Sequence, residues 1–389
     1  MDERIDFKDN RESSGDRNYS LDLLRIISML MIVCLHIFSH GGLSEQINNI
    51  SADSIGLWLF QAICVASVNV FVLLSGYFLV NEKFRPSKLM KLLIQVWFYS
   101  WIIWFILTAR GYIPILSKET ISSLLPISFR NYWFISAYFR MYLLVPINNK
   151  LINSLNKVQH FTVILGLVCI MSIWTDVIPK SDAFVVSYGQ SVTWFIVLYI
   201  IAAYIRRYVK IEEIKYKYIV FLYSTSVILL VVSRMLLYIV TARYSFISEF
   251  VHYEFYYRYN SFLVLLSAVS LLLMFLKIKL NNGLIRKIIQ LVTPLTVGVY
   301  LIHDNPNLRP IIWDNIFSIG KIRRDVYLLP KVVGVILIVF CGCILIDFIR
   351  KKIFSVFERT GWYKNVMQKL DLVPYKLQEK INKKFSDLK

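Results

Sequence analysis

Arg25 and His36 stand in a stretch otherwise made largely of Leu, Ile, Met and Val. They stand 11 positions apart. On a helix, 11 steps of about 100° return to nearly the same face, and a rise of about 1.5 Å per residue sets the two roughly 16 Å apart along it. One face of one helix would thus carry a guanidinium near one end and an imidazole near the other. An ionisable group inside an apolar segment costs about 3 kcal/mol at the centre on insertion scales unless paired or hydrated, so both residues are functional candidates. The bland alternatives are a snorkelling arginine, since Arg25 sits only about one turn into its segment, and a histidine hydrogen-bonded to a neighbouring helix. Arg140 lies about ten residues into another apolar segment and needs a partner. His303 and Asp304 end a further one, where Asn305-Pro306 signals a turn.

The elements that must position these groups follow from composition. The chain has 389 residues, 57% hydrophobic and 18% charged, with mean hydropathy +0.56, which excludes an ordinary soluble enzyme. A helix needs about 20 mostly apolar residues to cross a bilayer. Segments of that kind fall at about 21–40, 55–80, 92–109, 131–149, 158–178, 190–206, 217–240, 260–278, 288–304 and 327–349. The expectation is an all-α integral membrane protein with about ten transmembrane helices and both termini cytoplasmic. That orientation places Arg85, Lys88 and Lys91, Arg206 and Arg207, Arg286 and Lys287, and the tail from Arg350 on the cytoplasmic side, as the positive-inside rule requires. The net charge of +19 is then sorted across a membrane, and no nucleic-acid partner is needed to explain it.

Residues 1–20 read as a polar cytoplasmic leader, 21–350 as the membrane domain, and 351–389 as a basic cytoplasmic tail whose alternating aromatic and basic residues suggest a surface-lying amphipathic helix. The first apolar run has span length and no A-x-A-like cleavage site, so it reads as a retained helix. Five cysteines inside apolar runs give neither a disulfide framework nor zinc-ligand spacing and read as small core residues; no metal is expected. No dinucleotide, Walker, nucleophile-elbow or HExxH pattern occurs.

Leu21-Asp22-Leu23-Leu24-Arg25, followed after ten residues by His36, resembles the opening helix of the membrane acyltransferase 3 family. Asn69-Val70-Phe71 with Ser75-Gly76-Tyr77 is similar to the family's second-helix pattern. Tyr132-Trp133-Phe134 with Tyr138, Tyr142 and Pro146 resembles its fourth, and Tyr300-Leu301-Ile302-His303 a late element. The resemblance covers about residues 20 to 305. It implies a ten-helix enzyme, here without an appended esterase-like domain, that takes an acyl group, usually acetyl, from cytoplasmic acyl-coenzyme A to a hydroxyl of an extracytoplasmic or exported polysaccharide. A bacterial inner or plasma membrane is the implied home, acetyl-CoA or another acyl-CoA the donor, and membrane lipids the surroundings; a homo-oligomer is left open.

On that resemblance His36 is suited to take a proton from a sugar hydroxyl or to carry the acyl group itself, and both roles stay open. Arg25 would hold a donor phosphate or polarise the donor's amides. Ser75, Tyr77, Arg85, Lys88, Lys91 and Arg140 are the further donor-binding candidates, with lysines where many relatives have arginines. Trp133 and Tyr138 would stack on a sugar or line a tunnel, unless they are belt aromatics, and His303 would orient the acceptor or His36. Glu249, His252, Glu254 and Arg258 read as a polar outer loop. The alternative function is a transporter or flippase for a lipid-linked glycan, which repeated halves and broken helices in matching positions would signal; neither is evident.

Overall fold

A computed structural model of the chain describes residues 17–47, 49–179, 185–321 and 327–386. Most of the expected polar leader lies outside the described residues. Among them the structure is helical and has no strands. Among the described residues eight helical stretches are long and apolar enough to cross a membrane: Tyr19–Ser39, Ala52–Leu79, Pro86–Ala109, Lys157–Val177, Tyr216–Arg243, Phe255–Lys277, Gly283–His303 and Leu328–Glu358. The chain is therefore an all-α integral membrane protein.

Helix α1 (Tyr19–Ser39) starts where the Asn18 side chain accepts from the backbone N–H of Leu21 at 3.1 Å, closing one of the orphan donors of the first turn. Most of its residues are buried, because it stands at the centre. Around it pack α2 (Ala52–Cys64) and α3 (Ser67–Leu79), which together make the second span, and later α10 (Phe262–Lys277), α11 (Gly283–Val292), α12 (Thr296–His303) and α13 (Leu328–Glu358). Helix α4 (Pro86–Ala109) has no cap from its own N-terminal residue. Asp371 supplies one from the tail, accepting from the Ser87 N–H at 2.9 Å and the Ser87 hydroxyl at 2.8 Å. The tail is thereby seated on the membrane domain, and its helix α14 (Gly361–Ser386) begins after α13 has run on to Glu358.

Two expected spans come out differently. The fourth, 131–149, is broken into α5 (Trp133–Leu143) and α6 (Val145–Ser154). Pro146 has no N–H, and its ring would meet the carbonyl four residues back, so one continuous helix cannot pass. The sixth is α8 (Val192–Tyr208), of 17 residues, or about 26 Å of rise. It is buried nearly throughout, with Trp194, Phe195 and Tyr199 at 0% exposure. It packs on α3, on α5 and on α7 (Lys157–Val168), a position inside the protein rather than against lipid. Gly76 makes the α3–α8 contact possible, since a Cβ there would stand 3.0 Å from both the Ala202 Cβ and the Tyr199 Cα. The long helix α9 (Tyr216–Arg243) packs on α10 and α2. Not all five cysteines are core residues: Cys34, Cys64 and Cys343 are buried, while Cys169 and Cys341 are exposed on the outer faces of their helices.

Candidate active site

A cavity of about 800 Å³ runs alongside α1 between α3, α5 and α12. At one end it is rimmed by Arg17, Glu82, Lys88 and Arg206, with Lys88 in the first turn of α4 and Arg206 in the last turn of α8, beside the basic clusters of the sequence. Inside this rim, Arg25 reaches Asp22 at 3.3 Å, and Asp22 also accepts from Arg17 at 2.5 Å. Arg25 is thus held by a carboxylate on its own helix while it faces the cavity, instead of reaching out to headgroups. Arg206 donates to the Tyr77 hydroxyl at 2.9 Å and lies over that ring at 4.7 Å. Lys88 pairs with Glu82. The Ser75 hydroxyl also lines the wall and donates to the Phe71 carbonyl at 2.9 Å.

Farther in, the wall turns aromatic. Tyr138 stacks on Phe134 with ring centroids 6.1 Å apart, and Trp133 on Tyr259 at 5.7 Å, both at 19° between planes. Phe134 also meets Tyr300 at 6.0 Å. These rings line the cavity. His36 lies beside them, 6.2 Å from the Tyr300 ring.

Behind His36 stands a polar cluster built from the end of α12. His36 Nδ1 is 2.8 Å from His303 Nε2, and His303 Nδ1 is 2.5 Å from the Val299 carbonyl. A carbonyl only accepts, so His303 carries its proton on Nδ1, and its Nε2 offers a lone pair. His36 must then donate from Nδ1, and in its neutral form Nε2 is left with a free lone pair. Asp304, 0% exposed, has Oδ1 at 3.5 Å from His36 Nδ1 and at 3.3 Å from His40 Nε2. Arg309 closes on the same oxygen at 2.8 Å from Nη2 and 2.9 Å from Nε. The end of α12 is pinned by Tyr132, whose hydroxyl donates to the Leu301 carbonyl at 3.0 Å and accepts from the Asn305 amide at 2.7 Å.

Of the residues expected from sequence, Arg25, His36, Ser75, Tyr77, Lys88, Trp133 and Tyr138 line this one cavity. His303 does not; it is buried behind His36 and touches it directly, so it is neither a loop start nor a residue of the cavity wall. Arg85, Lys91 and Arg140 are exposed and outside the lining. Arg85 contributes its backbone carbonyl to the Tyr142 hydroxyl at 3.1 Å. Arg140 falls in the last turn of α5 because that helix stops at Leu143, so the deep position assumed for it does not exist. In the outer loop, Arg258 folds onto Asp176 at 3.1 Å, and Glu254 onto the buried Arg234 at 2.9 Å. Tyr259 and Arg309 carried no sequence signal of their own; Arg206 stood out only as one of a basic pair, and Tyr300 only within the Tyr300–His303 element of the family resemblance. His40 carried one, being four residues from His36 and so on the same helix face.

The arrangement joins a rim with an excess of cations to an imidazole lone pair through a passage wide enough for a flexible chain. It can hold an anionic head group at one end and accept a proton at the other. A family model described as an acyltransferase domain matches residues 18–349. No curated protein and no solved structure matches the chain.

Proposed function

The chain belongs to the membrane acyltransferase 3 family, and from that premise we propose that it moves an acyl group, acetyl first among them, from cytoplasmic acyl-coenzyme A to a hydroxyl of an extracytoplasmic or exported polysaccharide. The observation that carries this reading is the tautomer of His36. The chain of bonds from Val299 through His303 leaves the lone pair of a neutral His36 on Nε2, and His36 lines the cavity, which supports a general base there. The other end of that cavity is rimmed by Arg17, Lys88 and Arg206.

In this mechanism the phosphates of the donor rest at the basic rim, and the pantetheine arm follows the α1 face for the roughly 16 Å between Arg25 and His36. The acceptor hydroxyl gives its proton to His36 Nε2 as its oxygen bonds to the thioester carbon. The carbon–sulfur bond then breaks, and the departing thiolate takes that proton, so nothing is left over. Asp304 stabilises the imidazolium while it exists, as a buried carboxylate behind the base does in other acyl transfers. Lipids surround the outer faces of the helices, and a bacterial plasma membrane suits the topology.

The test is transfer of labelled acetyl from acetyl-coenzyme A to glycan in membranes holding wild-type chain or His36→Ala at matched protein levels. Label on glycan with the wild type and none with the variant is the expected result. Equal labelling by both would overturn the role of His36. No labelling across several glycan acceptors, with glycan export still dependent on the protein, would overturn the transferase reading in favour of a transporter.

A further inference from the structure

Three donors stand close together on the far side of the His36 ring from the cavity. His36 Nδ1 and His40 Nε2 lie 3.5 and 3.3 Å from Asp304 Oδ1, and all three groups offer ligand atoms within 4.8 Å of one another. A tetrahedral zinc ion with bonds of about 2.0–2.2 Å separates its ligand atoms by about 3.3–3.6 Å. Two edges of such a site therefore already have the right length. The third needs only a turn of the His40 ring, whose side chain is 32% exposed.

A second observation points the same way. Asp304 is fully buried, and Arg309 takes only its Oδ1, so Oδ2 has no hydrogen-bond partner. The measured edges run to Oδ1, which Arg309 holds; the bare Oδ2 of the same carboxylate offers an ion a lone pair that Arg309 does not occupy. We propose that His36, His40 and Asp304 form a site for a divalent transition-metal ion, Zn²⁺ foremost, and that occupancy of this site switches the transferase off.

The switch follows from the ring chemistry and rests on the reading of His36 as the base. Ligation through Nδ1 takes the lone pair of that nitrogen and breaks the bond to His303. The neutral ring then keeps its single proton on Nε2, where the acceptor hydroxyl would have to deliver its own. A ring that already carries that proton accepts no other, so the ion acts as an inhibitor and not as a cofactor. Two imidazoles and one carboxylate favour zinc over magnesium, which prefers an all-oxygen shell. The Arg309 guanidinium on Oδ1 opposes a dication and keeps binding reversible. His40 supplies sensitivity to the ion; it touches Asp304, so its removal is read as a change in zinc dose against the variant's own rate.

The test has two arms. In the first, purified full chain is titrated with Co²⁺ and followed by visible ligand-field absorption, for the wild type, His40→Ala, Asp304→Asn and, as a control in the outer loop, His252→Ala. Tetrahedral bands in the wild type and His252→Ala, and their loss in the other two, are expected. Absent wild-type bands, or bands undiminished in both His40→Ala and Asp304→Asn, would overturn the site. In the second arm, acyl transfer in membranes is measured against added Zn²⁺ or Mg²⁺. Zinc should inhibit the wild type, while His40→Ala, measured against its own zinc-free rate, should need about tenfold more or higher. Equal inhibition of both, or equal inhibition by Mg²⁺, would overturn the switch. A chain that bound Co²⁺ in this pattern yet transferred no acyl group would keep the site and lose only the reading of its function.

Discussion

The base at the centre of this site is set by its neighbours. A lone imidazole exchanges its proton between two nitrogens; here the Val299 carbonyl orders His303, and His303 orders His36. General-base assistance contributes about 10²–10⁴-fold, so His36→Ala should lose that much of kcat with the KM for donor little changed, measured as initial rates of labelled transfer. His303 acts through His36 and is a positioning residue. His303→Leu should lose rate because Nδ1 of His36 loses its 2.8 Å acceptor and keeps only Asp304 Oδ1 at 3.5 Å, while His303→Gln, whose amide oxygen can accept, should recover part of it. Equal rates in the two variants would mean that His303 only fills space. At this scale the sequence was informative where one helix did the work, since Arg25 and His36 share a face by spacing alone. It was silent on how α1 and α12 meet, which brings His303 to His36 across 267 positions. It misled at Arg140, because the position of that side chain depended on a helix that Pro146 cuts short.

Apolar length made the long helices legible, and the two exceptions have physical causes. Pro146 breaks the fourth, and α8 comes out as a helix of 17 residues, about 26 Å of rise, packed on other helices. Close contacts between helices are instead set by single small residues. Gly298 on α12 faces Asp347 on α13, and a Cβ at this glycine would collide with the carboxylate. Asp347 in turn accepts from the Tyr99 hydroxyl at 2.7 Å and Gln95 at 3.2 Å on α4, and from Arg350 at 2.7 Å. One buried carboxylate therefore ties α4 and α13 beside the helix that carries His303. Gly298→Ala should destabilise the chain by about 1–3 kcal/mol through overpacking, and Asp347→Ala by about 3–5 kcal/mol by stranding Arg350. Because the second substitution removes the group that the first strikes, the double variant should be less destabilised than the sum. Thermal unfolding of the four proteins in one detergent measures the coupling, and strict additivity would show that Gly298 and Asp347 do not compete for the same space.

For the molecule as a whole, the two ends of the cavity are unlike. The end beside Arg17, Lys88 and Arg206 is formed by exposed side chains from three separate segments, while the end beside His36 is walled by Trp133, Phe134, Tyr259 and Tyr300 in ring contact. A polyanionic donor is attracted to the first end and has no charged partner along the second wall. The same end carries the basic loops, which the positive-inside rule assigns to the cytoplasm. Donor should therefore enter from one side only. In sealed inside-out vesicles, acetyl-coenzyme A added outside should label glycan, and in right-side-out vesicles it should not until detergent opens them. Arg206→Ala should raise the KM for donor in inside-out vesicles with kcat nearly unchanged, since Arg206 lies at the rim and far along the passage from His36. Labelling from both faces of sealed vesicles would mean that the aromatic wall is not a barrier and that donor reaches His36 by another route.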